Sequence, residues 1–554
     1  MMTSAKSFNH ARRPVLWIAL LAGCLLSSCD GSGPNTSAAP KPRALGILSA
    51  PRLDLNPNPD APLVGILSVE TDRPSRATLN VTAGVDSWSI PLSPYRTKHS
   101  DPVVGFRPNT AHAVQVTLVD QDGNAATYPK NVIFTTGPLP ANFPPLSAVV
   151  TTPAQMEPGL TLLEPYGPAG ASHLVALDAS GNVVWYYKPT ALPGRMLDAR
   201  RISNGNITFT ILQQDFLEIT PVGDIVTHLY ANADPGVPPA PAGSVPIAIA
   251  SLHHEVSPMP SGHFVGLSQE VRTYLNYPAS ETDPSKIAPS TAVLGDVIVE
   301  FARDGTVVHS WYLLDMLDPY RIGYGSLVTT PQAAKDWSHA NAVVYDPNSD
   351  SFIVSVRHQD VVIKFKRNLA SNGRPSDLVW MLGNHDRWGA NWQRYLLYPT
   401  NFNLWPYHQH ASMVMTNGDI LLHDNGNFRA TPPATPTPDS LNFSRAVQYH
   451  IDEASMVVTQ VWEYGSPATE SQPVYSLALG DADELPLTGN VLSSFGFVTY
   501  IGGVATVNPV SRVVETAKTG QVVFRLDIGI NDPNPAKAAS VQNYRADRVP
   551  TLNP

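Results

Sequence analysis

A degenerate repeat occupies most of the chain after residue 138, and it constrains the fold more than any other feature. One half of the unit is an acidic or polar turn with glycine, followed by a β-branched run that ends in an aromatic residue. The clearest copies lie at residues 177–185 and 301–311. Weaker copies surround Gly223, the strand that ends at Trp380, residues 452–462 and residues 520–524.

The other half of the unit is a Pro or Asn turn between two strands, and its copies alternate with those of the first half. They lie at residues 203–206, 260–263, 346–349, 416–419 and 488–490. Each pair of halves supplies two hairpins, hence one four-stranded sheet that buries its faces only against neighbouring copies. The repeat therefore predicts a six-bladed β-propeller closed on itself, with a strand near residues 159–164 completing a blade. Seven blades remain an alternative, because insertions at residues 232–249 and 430–440 interrupt the spacing.

The composition also predicts an all-β fold, because 53 prolines and 37 glycines alternate with strand-forming residues. Before the repeat, strand-like runs such as residues 77–82 and 113–119 are separated by Asn-Pro and Asp-Gly turns. Such runs are typical of a small immunoglobulin-like or fibronectin-like β-sandwich. We expect this sandwich at residues 44–138 and the propeller at residues 139–554.

The N-terminus has the layout of a secretory signal. A basic cluster at residues 10–13 precedes an apolar run at residues 15–26, which is short for a membrane span. Cys29 then follows, as in a bacterial lipoprotein signal, where such a cysteine becomes the acylated first residue; Cys24 is the competing site. An ordinary cleaved signal and an uncleaved anchor are the alternatives.

These features predict a lipid-anchored protein of the bacterial periplasm, with no other attachment to the membrane. Residues 1–29 are interpreted as the signal peptide, with Cys29 as the lipid anchor. Residues 30–43 contain mainly small and polar residues and proline, which indicates a flexible linker.

Charge and cysteine content exclude several kinds of chemistry. Charged residues make up only 15% of the chain and the formal net charge is -10, so no nucleic-acid partner is expected. Both cysteines lie in the N-terminal signal, so the remaining chain has no disulfide, thiolate nucleophile or Cys-ligated metal. We predict no metal and no other cofactor.

Polar residues cluster just before the inner turns, where the innermost strands of a propeller converge on its axis. The three clusters lie at residues 252–255, 336–341 and 408–412. His254 and His410 each precede a turn glycine by eight residues, so their positions are equivalent and should face the same axis. Alternate side chains of a strand share a face, so His339 and Asn341 are expected to point the same way.

Arg357 lies on the next predicted strand after His339. A guanidinium in a strand interior is costly unless it is paired or binds an anion. Together with the imidazoles, Arg357 predicts a pocket for a tetrahedral oxyanion such as sulfate or phosphate.

Several ordered motifs resemble those of the bacterial arylsulfate sulfotransferases. They are DWSHAN at 336–341, VSVRHQ at 354–359, QH at 409–410 with DNGNFR at 424–429, and FSRAV at 443–447 with VWEYG at 461–465. The likeness covers essentially the whole predicted propeller and, less specifically, the sandwich. In that family, a periplasmic six-bladed propeller transfers a sulfuryl group from an aryl sulfate to a phenol without a nucleotide sulfate donor.

The resemblance implies a role for each polar residue of the pocket. His410 would be the histidine that becomes transiently sulfated, which gives two displacements and ping-pong kinetics. His254, His339 and Arg357 would hold the sulfuryl oxygens. The implied partners are an aryl sulfate donor and a phenolic acceptor, and a homodimer remains open.

Asn341 and His253 are further substrate-binding candidates, the first by the same matching and the second by its place beside His254. The chain departs from the family in one respect, because some members have a disulfide near the active site. Local rigidity and acceptor range are therefore not implied by the resemblance.

Two other classes of function remain open. A sulfate-ester hydrolase could use the same site, because water can attack a sulfated His410; a formylglycine sulfatase is excluded by the missing C-x-P-x-R motif. The second class is a non-catalytic propeller that binds a ligand or another envelope protein.

Overall fold

A computed structural model describes residues 43–167, 170–190, 192–211, 213–234, 236–529 and 540–554. The predicted signal peptide, both cysteines and almost all of the predicted linker lie outside the described residues. Among the residues that are described, no helix is long and apolar enough to span a membrane.

The N-terminal domain is an immunoglobulin-like arrangement of strands. Its strands are β1 (Arg52–Leu55), β2 (Gly65–Ala83), β3 (Asp86–Pro91), β4 (Arg96–Val103), β5 (Ala111–Asp120), β6 (Ala125–Thr127) and β7 (Val132–Thr135). The first part of β2 pairs with β1 and β4, and its second part pairs with β3 and β5. Alternate residues of β2, such as Leu67, Val69, Leu79 and Val81, are buried in one apolar cluster. The strand-period pattern of the sequence thus forms the core of this domain.

The rest of the described chain is also almost entirely strands. They are β8 (Leu146–Thr151), β9 (Leu160–Tyr166), β10 (Leu174–Leu177), β11 (Val183–Tyr187), β12 (Met196–Arg201), β13 (Ile207–Ile211), β14 (Asp215–Ile219), β15 (Ile225–Ala231), β16 (Val245–Ile247), β17 (His253–Pro258), β18 (Phe264–Pro278), β19 (Ile287–Phe301), β20 (Val307–Tyr312), β21 (Lys335–Asp336), β22 (Ala340–Asp346), β23 (Ser351–Val356), β24 (Val361–Lys366), β25 (Leu378–Gly383), β26 (Tyr398–Pro399), β27 (His410–Val414), β28 (Ile420–Asp424), β29 (Arg445–Asp452), β30 (Val457–Tyr464), β31 (Val474–Ser476), β32 (Asp481–Glu484), β33 (Val491–Ile501), β34 (Val504–Thr516), β35 (Val522–Ile528) and β36 (Gln542–Val549). Two short helices, α1 (Leu313–Met316) and α2 (Ala390–Gln393), interrupt them.

In the described residues these strands form six sheets in chain order. The sheets comprise β9–β11, β12–β16, β17–β21, β22–β25, β26–β30 and β31–β35. The first and last sheets each take a strand from the other end of the chain: β36 pairs with β9, and β8 pairs with β35. Strand pairing between distant segments therefore joins the two ends of this region.

One strand of each sheet contacts its counterpart in the next sheet. These strands are β12, β17, β22, β27, β32 and β36, and β36 in turn contacts β12. They therefore form a closed ring, and side chains at equivalent positions of the strands lie around one axis. Residues at the starts of these strands are brought together although the sequence separates them widely.

The aromatic residue that ends a copy of the repeat has a role in packing. Trp185 and Trp311, which end the two clearest copies, are fully buried, and their indole N–H groups donate to the carbonyls of Pro221 and Asn368. Each tryptophan thus joins one sheet to a segment beyond it. Truncating such a side chain to alanine typically costs about 3–5 kcal/mol.

Candidate active site

His410 lies at the start of β27 and is 2% exposed. Its Nδ1 lies 2.7 Å from the carbonyl oxygen of Gly480, and because a carbonyl only accepts, Nδ1 carries the proton. Nε2 therefore carries the lone pair, and this buried atom has no hydrogen-bond partner among the described residues. Burial and the nearby charge of Arg545 hold the pKa of His410 well below its usual range. The side chain is a neutral imidazole with an available Nε2.

The carbonyl that holds His410 belongs to an unusual backbone segment. Gly480 has a φ of 112°, and a Cβ at this position would lie 2.6 Å from the ring of His423. Asn425 fixes the segment, because its Nδ2 donates to the carbonyls of Leu479 at 2.9 Å and Ser476 at 2.8 Å. The conformation thus requires glycine, and a buried amide keeps its carbonyl in place.

His254 is central to the cluster of imidazoles. Its ring centroid lies 5.1 Å from that of His339 and 6.2 Å from that of His410. Its Nδ1 lies 2.8 Å from Nδ1 of His253. Burial, reinforced by the neighbouring His253, His339 and His410, holds the pKa of His254 well below its usual range.

His339 is supported by a carboxylate. Its Nδ1 lies 2.6 Å from Oδ2 of Asp336, and its side chain is 32% exposed, so the ring reaches open space. Burial alone would raise the pKa of Asp336, but His339, His358 and Arg357 together hold that pKa below its usual range. An ionised Asp336 orients the ring and favours a proton on Nδ1.

Arg357 lies at the start of a 3-10 helix, Arg357–Gln359, directly after β23. Its Nη2 donates to the carbonyl of Leu477 at 3.1 Å, and its Nη1 lies 3.0 Å from Nε2 of His358. The ring of His358 lies 4.6 Å from that of His339. Burial lowers the pKa of Arg357 to about 10, so the guanidinium stays charged near neutral pH.

The four residues predicted to be catalytic, His254, His339, Arg357 and His410, are thus brought into one cluster. The starts of β17, β22 and β27 and the end of β23 supply them. Three imidazoles and one guanidinium in a buried setting suit a tetrahedral anion with three peripheral oxygens. Their individual roles stay predictions.

Asn341 and His253 lie behind this cluster. Asn341 is fully buried, and its Nδ2 donates to the carbonyl of Gln409, next to His410, at 2.8 Å. The alternation expected between His339 and Asn341 does not apply, because β22 begins at Ala340 and its register with β23 shifts directly after that residue. His253 is 5% exposed, and its Nδ1 contacts Nδ1 of His254. Direct contact of either residue with a substrate stays a prediction.

Tyr544 is a member of the site that sequence reasoning did not find. Its ring lies 5.4 Å from that of His410 and 6.4 Å from that of His254, and its hydroxyl donates to the His254 carbonyl at 3.0 Å. It lies on β36, which belongs to no copy of the repeat. Only the knowledge that β36 closes the ring could have indicated it.

One group in this cluster has the donor types of a metal site. The donor atoms of Asp336, His339 and His358 all lie within 4.8 Å of one another. However, Nδ1 of His358 already faces the Asp336 carbonyl at 2.6 Å, and its Nε2 faces Arg357. A ring ligated through Nδ1 would present an Nε2–H group to the guanidinium, so the group fits an ion-pair network better than a metal ion.

A large cavity lies at the other ends of the ring strands. Its volume is about 490 Å³, and Arg200, Asp481, Asp483, Asp547 and Arg548 are among the residues that line it. Arg545 also lines this cavity and donates to the Asn341 carbonyl at 3.0 Å. A buried layer of ion pairs therefore lies between the cavity and the histidines.

Comparison with known proteins identifies the family. The model of the arylsulfotransferase family matches residues 147–540, and that of the arylsulfotransferase Ig-like domain matches residues 53–135. The chain belongs to the arylsulfotransferase family. The family resemblance predicted from the sequence is confirmed.

Two arylsulfate sulfotransferases are similar to this member of the family. AssT of Escherichia coli is 28% identical over 290 residues, which cover 43% of this chain and 46% of that protein. AssT of Lelliottia amnigena is 27% identical over 218 residues, which cover 31% and 34% of the two chains. The matched segments thus span less than half of each relative.

Solved structures show a more distant likeness. A protein of unknown function from Bacteroides caccae has 12% identity and a TM-score of 0.36, over 70% of this chain and 99% of that one. The periplasmic gluconolactonase PpgL of Pseudomonas aeruginosa has 12% identity and a TM-score of 0.31, over 84% and 99%.

Proposed function

We propose that the chain is an arylsulfate sulfotransferase that moves a sulfuryl group from an aryl sulfate to a phenol through His410. The observation that carries this proposal is the buried Nε2 of His410, which has a lone pair and no partner among the described residues. A neutral imidazole is a competent nucleophile near neutral pH. Membership of the arylsulfotransferase family supports the same reaction class.

The scaffold proposed for this activity is a six-bladed β-propeller at residues 139–554, preceded by the sandwich at residues 44–138. Six sheets and a closed ring of six contacting strands support this interpretation. Pairing of β36 with β9 and of β8 with β35 supplies the closure that such a fold needs.

In the first half of the reaction, Nε2 of His410 attacks the sulfur of the aryl sulfate. The N–S bond forms while the S–O bond to the aryl group breaks, and the electron pair of that bond leaves on the phenolate. Nδ1–H of His410 continues to donate to the Gly480 carbonyl, which stabilises the positive charge that develops on the ring. Arg357, His339 and His254 would stabilise the three peripheral oxygens.

In the second half, the oxygen of a phenol attacks the same sulfur while its O–H proton passes to a neighbouring imidazole of the site. The N–S bond breaks, its electron pair returns to Nε2, and a new aryl sulfate leaves. The two displacements share one site, so donor and acceptor bind in turn and the kinetics are ping-pong. No nucleotide is needed in either step.

Intact-mass measurement after mixing the protein with 4-nitrophenyl sulfate, without acceptor or nucleotide, tests the proposal. We expect one sulfuryl adduct per chain, mapped by peptide sequencing to His410 and discharged by added phenol. An adduct elsewhere, or none in folded protein, would overturn the mechanism. Equal release of 4-nitrophenol with and without phenol would instead indicate a hydrolase.

We further propose that the protein is exported and attached to a bacterial membrane through Cys29, with Cys24 as the competing site. The order of the basic cluster, apolar run and cysteine supports this. Membrane fractionation of the parent and of Cys29→Ser tests it. We expect the variant to move to the soluble fraction, and retention on the membrane would refute Cys29 as the anchor.

A further inference from the structure

Two adjacent histidines share a proton next to a buried carboxylate. Nδ1 of His253 lies 2.8 Å from Nδ1 of His254. Nε2 of His253 faces the carbonyl of Ser268 at 3.2 Å and Oδ1 of Asp296 at 3.2 Å. A carbonyl oxygen and a carboxylate oxygen accept hydrogen bonds and do not donate them. Nε2 of His253 therefore carries a proton.

The short contact between the two Nδ1 atoms requires one proton between them. Two lone pairs or two N–H groups at this distance would repel each other. In the neutral pair, His254 donates from Nδ1, and its Nε2 carries a lone pair. When the pair holds one extra proton, His253 donates from Nδ1, and Nε2 of His254 becomes an N–H donor. The protonation of His253 thus decides whether His254 accepts or donates at its Nε2.

Asp296 is arranged to stabilise the protonated pair. Asp296 is 2% exposed, and its Oδ2 accepts from the Ser338 hydroxyl at 2.6 Å and from the Ala340 amide. Its Oδ1 is left to face His253. A carboxylate in this position lies close enough to balance a positive charge on the ring of His253.

The surroundings of His254 place the extra charge on the side of His253. The other titratable or charged groups that face His254 are His339, His410, Arg545 and Tyr544. None of these supplies a negative charge at neutral pH. The only carboxylate that contacts the pair among the described residues is Asp296.

We propose that Asp296, His253 and His254 form a proton relay for the leaving and entering phenols. The inference rests on the proposed sulfuryl transfer. Before the reaction, Nε2–H of His254 faces a sulfuryl oxygen. As the S–O bond breaks, it gives its proton to the adjacent phenolate oxygen, and Nδ1 of His254 takes the proton of His253. In the second half, the phenol gives its proton to Nε2, the relay runs backward, and the pair is charged again. Over a full cycle no proton is gained or lost.

The proposal makes His253 and Asp296 positioning residues, since neither needs to touch the substrate. The loss of rate when either residue is replaced should depend on the leaving group. 4-Nitrophenolate is a stable leaving group and needs little protonation, whereas unsubstituted phenolate needs a proton in the transition state. General acid assistance is typically worth about 10²-fold or more.

The test measures the rate of the His410 adduct with 4-nitrophenyl sulfate and with phenyl sulfate, in the parent, His253→Phe and Asp296→Asn. Asp296→Asn keeps the side-chain volume, so it tests the relay even if the larger change, His253→Phe, prevents folding. We expect each variant to lose about 10²-fold with phenyl sulfate and only a few-fold with 4-nitrophenyl sulfate. His228→Gln is the control, because it removes a similar imidazole–carboxylate pair, at 2.6 Å from Asp215, on outer strand β15.

An equal loss with both donors, or no loss, would overturn the relay. A parent protein that forms no adduct would overturn the proposed function instead. In that case, the ¹⁵N shift of Nε2 of His254 still tests the relay in the resting protein. We expect it to change from N–H to lone-pair character as the pH rises in the parent, and to show no such change in His253→Phe. The same titration in both proteins would overturn the relay.

Discussion

His254 and His410 lie at the starts of two strands of the same ring, β17 and β27, yet their Nδ1 atoms face different groups. Nδ1 of His410 donates to the backbone carbonyl of Gly480, whereas Nδ1 of His254 faces another imidazole that is backed by Asp296. A carbonyl fixes one tautomer and cannot balance an imidazolium, but a carboxylate can. The group behind Nδ1 of each ring, more than the ring itself, therefore distinguishes the proposed nucleophile from the proposed proton donor.

Exchanging the two rings for amides should separate their roles most strongly. We expect His410→Asn to lose at least about 10⁴-fold in turnover and to form no adduct, since the nucleophile is gone. His254→Asn should lose about 10²-fold and still form the adduct slowly, because only stabilisation is removed. Turnover rates and intact mass check both. The comparison would be broken if His254→Asn formed no adduct while His410→Asn did.

The second prediction concerns His339, whose ring faces a carboxylate directly. We expect Asp336→Asn to lower kcat by about 10-fold to 10²-fold, because an amide in place of the carboxylate no longer fixes the proton on Nδ1 of His339 or the orientation of its ring. Values of kcat and KM for the parent and for Asp336→Asn measure this, and an unchanged kcat would count against the role of the carboxylate.

The third prediction sharpens the part of the comparison that concerns the carbonyl. Asn425→Ser removes the amide that holds Leu479 next to Gly480, and we expect adduct formation to slow by about tenfold through misplacement of His410. Asn490→Ser is a matched control, because Nδ2 of this buried residue also makes two hydrogen bonds, to the Gln155 carbonyl at 2.9 Å and to Oε1 of Glu515 at 2.7 Å. Both variants should lose similar stability, about 1–2 kcal/mol, and similar rates for the two would contradict the role of Asn425.

The smallest effect concerns histidines whose rings have neither kind of acceptor. His173 and His423 are fully buried, neither ring nitrogen has a partner among the described residues, and burial lowers the pKa of each to about 4. The unfolded chain binds these protons near pH 6.5 and the folded chain only near pH 4. Stability is therefore fully present above pH 6.5 and falls as the pH decreases toward 4.

Each of these rings should lower the free energy of unfolding by about 1 kcal/mol when the pH falls from 7.5 to 5.5. His173→Phe, beside Phe143 and Tyr186, should reduce this loss by that amount in urea unfolding at the two pH values. His450→Gln, whose side chain is 61% exposed, is the surface control. An unchanged pH dependence in His173→Phe would mean that its ring does not titrate as expected.

The sequence predicted the parts of the molecule that depend on local patterns. Turn residues and strand-period runs indicated all-β structure, and equal spacing from turn glycines correctly brought His254 and His410 together. The polar clusters also contained His339, Arg357 followed on the next predicted strand, and the motif likeness assigned a role to each. These four residues could be found from the sequence because each lies near a recognisable turn.

The parts that the sequence did not reveal depend on contacts across long separations. Asp296 reaches His253 from the middle of a long strand, and the Gly480 carbonyl reaches His410 from the next sheet. No spacing rule relates such pairs. Strand alternation was expected to turn Asn341 the same way as His339, and this rule fails where β22 changes its register.

The pairing of β36 with β9 has a consequence for when activity can arise during synthesis. A nascent chain that still lacks residues 542–549 has neither the closing strand of its first sheet nor Tyr544 beside His254 and His410. The proposed chemistry therefore has to wait until translation is almost complete. A chain that crosses a membrane before folding would be inert throughout its passage.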